Sequence, residues 1–203
     1  MNNLIELVEN LKKDPVKRII DQRMNGFESV KEKGGNEIFR ELAFCILTAG
    51  TSAELGIKTI NHLGNVIFYG SEEEIRKKLK EVYRFYNLRA NYLYLARESF
   101  KKINLNSESI REDLIKNIKG IGMKEASHFL RNIGFKEYAI IDFHIVNFLV
   151  KQRLVESLKS KSLNPRKYLE IENVLKDVAE KTNTNLGELD LYLWYEETGK
   201  ILK

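Results

Sequence analysis

Hydrophobic residues recur along this chain with the three- and four-residue spacing of amphipathic helices. The strongest pattern lies in residues 37–49, where apolar side chains cover most of the circumference and predict a buried helix. Residues 66–69 form an apolar run that a strand could use. That run has no partner run, so we expect a loop or a helical turn there. The pattern predicts an all-α fold.

Capping signals mark where the predicted helices begin. Ser71 and Glu74 have the spacing of a capping box, Asn164 stands before Pro165 at another helix start, and residues 34–36 form the first clear break. The predicted helices are residues 3–13, 37–49, 53–63, 71–83, 89–102, 123–132, 143–150, 166–181 and 186–197, with one more opened by residues 14–15 and one starting at residue 109.

The stretch from residue 114 to residue 142 joins two of these helices by a tight turn, Lys119-Gly120-Ile121-Gly122. Ile121 is expected to point inward and hold the two helices together. Gly134 stands where the second helix should stop, in the left-handed conformation that favours glycine. This arrangement is a helix-hairpin-helix.

A Gly-x-Gly turn that leads into a helix can bind phosphate through its backbone. Without Cβ atoms, the N–H groups can approach an anion closely, and such a contact positions a protein on nucleic acid without reading sequence. Lys119, Gly120 and Gly122 are therefore candidate contacts to a DNA backbone. The turn alone leaves open an ordinary connection between two helices.

A lysine and an aspartate near the turn are candidates for chemistry. Lys124 lies in the first turn of the second helix, where the positive end of the helix dipole disfavours the charged ammonium. The neutral amine is the nucleophilic form. Asp142 follows 18 residues later at the start of the next helical pattern. By themselves, Lys124 could be a solvated surface lysine and Asp142 a helix N-cap.

The composition is that of a globular protein and gives no sign of a membrane protein. The chain has 203 residues, of which 43% are apolar, enough for one domain or two small lobes. We expect no membrane span and no signal peptide, and a cytoplasmic location. The net charge of +5 is compatible with a polyanionic partner without requiring one. The one cysteine, Cys45, is expected to be a buried thiol.

Gly-x-Gly-x-Lys with an aspartate at this distance resembles the helix-hairpin-helix base-excision DNA glycosylases with lyase activity. The catalytic lysine of that superfamily maps onto Lys124 and its catalytic aspartate onto Asp142. Adenine glycosylases of the superfamily lack the lysine, so its presence implies a lyase. The lone cysteine excludes the four-cysteine iron–sulfur cluster that some members carry.

Over nearly the whole chain, the sequence resembles the compact archaeal-type 8-oxoguanine DNA glycosylase/AP lyase family, and three further segments carry that resemblance. They are residues 42–49, 84–90 and 193–203. In that family the C-terminal segment helps to recognise the oxidised base, which implies a role for Trp194 and for Lys203 with its terminal carboxylate. The chemistry is consistent, because 8-oxoguanine carries an N7–H donor that a carboxylate can accept. A frayed terminus and an ordinary core tryptophan are the alternatives.

The resemblance implies two helical lobes with the active site in the cleft between them. We expect residues 36–110 to form a middle lobe, and residues 1–35 with 111–203 to form the lobe that carries the hairpin and the catalytic residues. The implied partner is double-stranded DNA containing an oxidised base, bound by a monomer. Neither a metal nor a cofactor is expected, because the three histidines show no ligand spacing.

The implied function is a bifunctional DNA glycosylase/AP lyase that excises 8-oxoguanine through a lysine Schiff base and cleaves the strand by β-elimination. Two alternatives stay open. A glycosylase/lyase for oxidised pyrimidines would share both catalytic residues and differ in its base pocket. A non-catalytic helix-hairpin-helix module would bind DNA but have no use for Lys124 and Asp142 together.

Overall fold

The structure is a computed structural model that describes residues 1–157 and 163–203. Within those residues the chain forms α-helices, one 3-10 turn at Lys31–Lys33 and no strand, which confirms the all-α prediction. The first six helices are α1 (Asn2–Leu11), α2 (Val16–Glu28), α3 (Gly35–Thr48), α4 (Ala53–Leu63), α5 (Val66–Tyr69) and α6 (Glu72–Lys80). The next six are α7 (Tyr86–Phe100), α8 (Ile110–Asn117), α9 (Met123–Asn132), α10 (Phe143–Lys151), α11 (Pro165–Lys181) and α12 (Leu186–Thr198).

The helices group into two compact units. The middle unit comprises residues 30–129 with Leu202, and the terminal unit comprises residues 1–29 and 130–201 with Lys203. These boundaries differ from the expected ones at residues 36 and 110, since the hairpin turn belongs to the middle unit. The reason lies in local packing: Phe129 of α9 packs edge-on against Phe100 of α7, with 5.7 Å between ring centroids.

The middle unit is built around α3, which packs against α4, α5 and α7. Its residues 41–48 are all buried, including the thiol of Cys45, as the pattern predicts. The helix begins at Gly35 rather than at residue 37. Gly34 alone makes the break, because its φ of 92° lies in the left-handed region.

The terminal unit is built around α12, which packs against α1, α2, α10 and α11. A charged side chain lies inside it. Arg131, at the end of α9, is 1% exposed, its guanidinium lies 4.5 Å from the ring centroid of Phe27, and one of its nitrogens is 3.6 Å from the Asp190 carboxylate. A buried charge needs such partners, so this cluster ties α9 to α2 and α12.

Helix ends follow the predicted capping chemistry at several positions. The Ser71 hydroxyl accepts from the Glu74 N–H, and the Glu74 carboxylate accepts from the Ser71 N–H, a bond that holds the pKa of Glu74 below its usual range. Asn164 caps α11 as predicted. However, α7 begins at Tyr86 rather than at residue 89. No helix within the described residues combines the length and hydropathy needed to cross a membrane.

Candidate active site

The hairpin turn is shaped by Gly120. Its φ is 88°, and a Cβ atom built on it would lie 2.2 Å from Cδ2 of Tyr92, a distance that no real contact allows. Ile121 is 7% exposed and so points inward, as predicted. The turn therefore takes its conformation because residue 120 has no side chain and because an aromatic ring of α7 occupies the space where one would be.

The ring of Tyr92 also collects positive charge next to the turn. The Lys119 ammonium lies 5.7 Å from the ring centroid, and the Arg89 guanidinium lies 5.5 Å from it. Arg89 donates a hydrogen bond of 2.7 Å to the carbonyl of Ala49, which fixes its position. Two cations near one aromatic ring and a left-handed glycine give this surface of the middle unit positive charge and a turn of the kind that can bind a phosphate.

Lys124 is the second residue of α9 and is half-buried. Its neighbour Glu125 supplies the acidic side chain that helix starts favour, and the Glu125 carboxylate accepts from the N–H of Gly122 at 3.3 Å. One of the two glycine N–H groups proposed for phosphate binding is therefore already bonded within the protein. A phosphate at this turn would have to displace that carboxylate or use other N–H groups.

Asp142 is the N-cap of α10, as one reading of the sequence allowed. Its Oδ1 accepts from the N–H groups of His144 and Ile145, at 2.9 and 3.0 Å. Both bonds use the same oxygen. Among the residues that the structure describes, no hydrogen bond reaches Oδ2, so the carboxylate keeps one oxygen for another task while it caps the helix.

Trp194, in the terminal unit, contacts His144, the residue whose N–H donates to Asp142. Its ring meets that of His144 edge to face, with 6.1 Å between centroids. Trp194 and the three final residues are half-buried, and α12 ends at Gly199 in the left-handed conformation. Lys203 therefore lies four residues after the glycine that caps α12. The structure links Asp142, His144 and Trp194 through successive contacts in the terminal unit. It places Lys119 and Gly120 against Tyr92 in the middle unit, to which Gly122 and Lys124 also belong.

Two contributors to these groups carry no signal in the sequence. Tyr92 and His144 fit their helices as ordinary amphipathic residues, and only their contacts with Gly120 and Trp194 single them out. As for metals, the part of the chain that the structure describes contains no group of three His, Cys, Asp or Glu side chains able to hold an ion.

Comparisons with known proteins match this arrangement over nearly the whole chain. The family model described as 8-oxoguanine DNA glycosylase matches residues 20–184. The 8-oxoguanine DNA glycosylase/AP lyase of Methanocaldococcus jannaschii is 48% identical, covering 98% of this chain and 99% of that protein. That of Korarchaeum cryptofilum is 47% identical, covering 100% and 99%.

Solved structures agree with the sequence relatives. The M. jannaschii 8-oxoguanine glycosylase/lyase in complex with a 15mer DNA containing 8-oxoguanine superposes with a TM-score of 0.93 at 48% identity, covering 98% of this chain and 99% of that one. The 8-oxoguanine DNA glycosylase of Thermotoga maritima superposes with a TM-score of 0.92 at 36% identity, covering 100% of both chains. This chain belongs to the 8-oxoguanine DNA glycosylase family.

Proposed function

We propose that this protein is a bifunctional DNA glycosylase/AP lyase that excises 8-oxoguanine from double-stranded DNA and then cleaves the damaged strand. The observation that carries the proposal is the half-buried Lys124 in the first turn of α9, directly after the glycine turn. The family model and the activities named for the relatives support the substrate. The protein acts as a monomer, in the cytoplasm where the DNA of a prokaryotic cell lies.

The reaction begins when the damaged nucleotide is extruded from the DNA duplex, because C1′ of its sugar is inaccessible inside the base stack. The neutral Lys124 amine forms a bond to C1′, and the bond from C1′ to the base breaks. The base leaves with the electron pair and takes up a proton. The free Oδ2 of Asp142 stabilises the positive charge that develops on the sugar.

Loss of the amine proton and opening of the sugar ring give a Schiff base between Lys124 and C1′. The iminium makes the proton at C2′ acidic. When a base removes that proton, the bond from C3′ to oxygen breaks, and the 3′ phosphate leaves with the electron pair. The strand is cut without any metal-assisted step, and hydrolysis of the Schiff base returns the lysine.

Recognition of the oxidised base falls to the end of the chain in this proposal. Trp194 supplies an aromatic face, and the C-terminal segment that includes Lys203 supplies an oxygen that accepts from the N7–H that distinguishes 8-oxoguanine from guanine. The edge-on contact between Trp194 and His144, whose N–H donates to Asp142, supports a defined orientation of the tryptophan ring. Lys119, Gly120 and Gly122 hold the DNA backbone, with Glu125 as the group that a phosphate replaces at Gly122.

Borohydride trapping tests the reaction class and the nucleophile together, because it reduces a Schiff base to a stable covalent adduct. Duplexes carrying 8-oxoguanine, thymine glycol, an abasic site or plain guanine are compared for the wild type and for Lys124→Gln. Lys33→Gln, an exposed lysine of the same unit, is the matched control. We expect an adduct with 8-oxoguanine and with the abasic site that disappears only in Lys124→Gln.

Other outcomes would change the proposal in defined ways. An adduct with thymine glycol and the abasic site but not with 8-oxoguanine would keep the mechanism and overturn the substrate. No adduct with any duplex, combined with DNA binding, would leave a helix-hairpin-helix binding module. An adduct that persists in Lys124→Gln would overturn the assignment of the nucleophile.

A further inference from the structure

The three residues that precede Asp142, at the end of the segment between α9 and α10, are buried without being part of a helix. Ala139, Ile140 and Ile141 are 2%, 7% and 2% exposed. None of the described residues forms a strand, so no sheet neighbour supplies hydrogen bonds to this stretch. Buried backbone N–H and C=O groups need partners, and outside helices and sheets side chains can supply them.

One side chain provides two of these bonds. Tyr168, in the first turn of α11, is 1% exposed. Its hydroxyl donates to the carbonyl of Ala139 at 2.6 Å and accepts from the N–H of Ile141 at 3.1 Å. A single oxygen thus bridges the two backbone groups on either side of residue 140, and α11 fixes the ring that carries it.

The bridge ends one residue before Asp142. On its C-terminal side, Asp142 is held by hydrogen bonds that its Oδ1 accepts from two N–H groups of α10. On its N-terminal side, the Ile141 N–H is held by Tyr168. We propose that Tyr168 is a positioning residue for Asp142, which aims the free carboxylate oxygen at the reacting sugar by fixing the backbone that precedes it. This inference rests on the proposed function.

The Tyr168 hydroxyl satisfies two buried backbone groups that the ring alone would leave without hydrogen bonds. Replacing Tyr168 with Phe keeps the ring volume but leaves a buried carbonyl and a buried N–H without their partner, so the segment shifts to find others. A displacement of about 1 Å at a catalytic group can lower a reaction rate by roughly 100-fold while substrate binding elsewhere is untouched. Tyr168→Phe should therefore lower the excision rate and leave the affinity for the duplex nearly unchanged.

The experiment compares Tyr168→Phe with Thr182→Val, a matched control at the other end of α11. Thr182, the C-cap of α11, is 1% exposed, and its hydroxyl donates to the carbonyl of Val178 at 2.9 Å, so the control also removes one buried hydroxyl, at the end of the same helix. Single-turnover excision of 8-oxoguanine and the Kd for the same duplex are measured well below the melting temperature of every variant. We expect Tyr168→Phe to lower the rate by roughly 10- to 100-fold with Kd changed by less than about threefold, and Thr182→Val to keep the rate.

The same change in an Asp142→Asn background tests whether Tyr168 acts through Asp142. If it does, Tyr168→Phe should change the residual rate by less than about threefold there, since the group that it positions is gone. A full additive loss in the double variant would overturn the proposal. So would an unchanged rate in the single variant, provided that the wild type excises 8-oxoguanine. A wild type that excises nothing would instead overturn the proposed function.

Amide hydrogen exchange in the wild type supplies a test that depends on neither activity nor folding of a variant. The Ile141 N–H lies outside any helix, yet it donates to a buried hydroxyl. We expect it to exchange as slowly as the amides in the middle of α11. Exchange at the rate of an exposed loop amide would show that the bridge does not hold, and would overturn the proposal.

Discussion

The turn at residues 119–122 and the segment at residues 139–142 both present a proposed functional group, but different forces hold them. The turn is held by packing, because the ring of Tyr92 fills the space that a side chain at Gly120 would need. The segment is held by hydrogen bonds: the Tyr168 hydroxyl bridges the backbone groups on both sides of residue 140, and the Asp142 carboxylate accepts from the first N–H groups of α10. Adding one carbon, as in Gly120→Ala, should therefore disrupt the turn. Removing one oxygen, as in Tyr168→Phe, should disrupt the segment.

This difference follows from what each region is proposed to contact. A turn that binds phosphate must keep its backbone N–H groups exposed, so protein hydrogen bonds cannot fix it without competing with the ligand, as Glu125 does at Gly122. A buried segment has no ligand on its backbone and can use every polar group for support. The carboxylate of Asp142 serves both purposes: Oδ1 supports the segment by accepting from α10, and Oδ2 is left for the proposed contact with the sugar.

Replacing Asp142 should give the largest effect and separate its two roles. Asn keeps the capping oxygen and should cost only a few tenths of a kcal/mol in unfolding free energy, whereas Ala removes the cap and should cost about 1 kcal/mol. Both should lower excision of 8-oxoguanine by at least about 100-fold, because neither carries a negative charge. Single-turnover rates and thermal unfolding measure the two quantities separately.

The outcome for Asp142→Asn decides the interpretation. If this variant excises at the wild-type rate, then Asp142 is only a cap, and the chemistry must be assigned to another residue. If Asp142→Asn and Asp142→Ala lower the protein's stability equally, the hydrogen bonds from the His144 and Ile145 N–H groups contribute nothing to stability. The claim that hydrogen bonds hold this segment would then be wrong.

Gly120→Ala should give the next largest effect, on the packed turn. A methyl group at a φ of 88° is strained, and the new atom would lie 2.2 Å from Tyr92 Cδ2, so the ring or the turn must move. We expect a loss of about 1–3 kcal/mol in stability and roughly tenfold weaker binding of undamaged duplex. Denaturant unfolding and fluorescence anisotropy measure these changes.

Gly122→Ala is the matched control for Gly120→Ala. The φ of Gly122 is not positive, and its nearest neighbour to a new Cβ is the Glu125 carboxylate at 3.4 Å. This variant should fold with a stability within about 1 kcal/mol of the wild type. If both alanine variants lose the same stability, the contact with Tyr92 does not distinguish the two glycines.

The sequence predicted those parts of the molecule that depend on nearby residues. Helix positions followed from apolar spacing, and the caps at Ser71, Asn164 and Asp142 followed from side-chain type. It did not predict that the hairpin turn groups with the middle unit, because that depends on aromatic contacts between helices far apart in the chain.

The supporting residues were missed for the same reason. Tyr92 and Tyr168 occupy positions where any large side chain would satisfy the amphipathic pattern. Their roles come from contacts with Gly120 and with Ala139, which lie 28 and 29 residues away along the chain. Lys124 and Asp142 could be singled out because a turn and a spacing mark them locally, although their assignment as nucleophile and charge stabiliser stays a prediction.

Tyr92→Leu tests the aromatic support of the turn with a smaller expected effect. Leucine fills less of the space beside Gly120 and removes the ring near the Lys119 and Arg89 cations. We expect about threefold to tenfold weaker duplex binding, and Tyr92→Phe should bind like the wild type because the face of the ring is kept. Equal losses in the two variants would assign the effect to the hydroxyl rather than to the ring.

Lys119→Ala should give the smallest effect, visible mainly in the salt dependence of binding. Lys119 is exposed, and if its ammonium contacts one phosphate, its removal should reduce the slope of log Kd against log salt concentration by about 0.9 and weaken binding a few-fold at low salt. Lys116→Ala, an exposed lysine in the last turn of α8, is the control and should leave that slope unchanged. If Lys119→Ala also leaves the slope unchanged, the cation beside Tyr92 does not contact the DNA, and phosphate binding at the turn depends on its backbone alone.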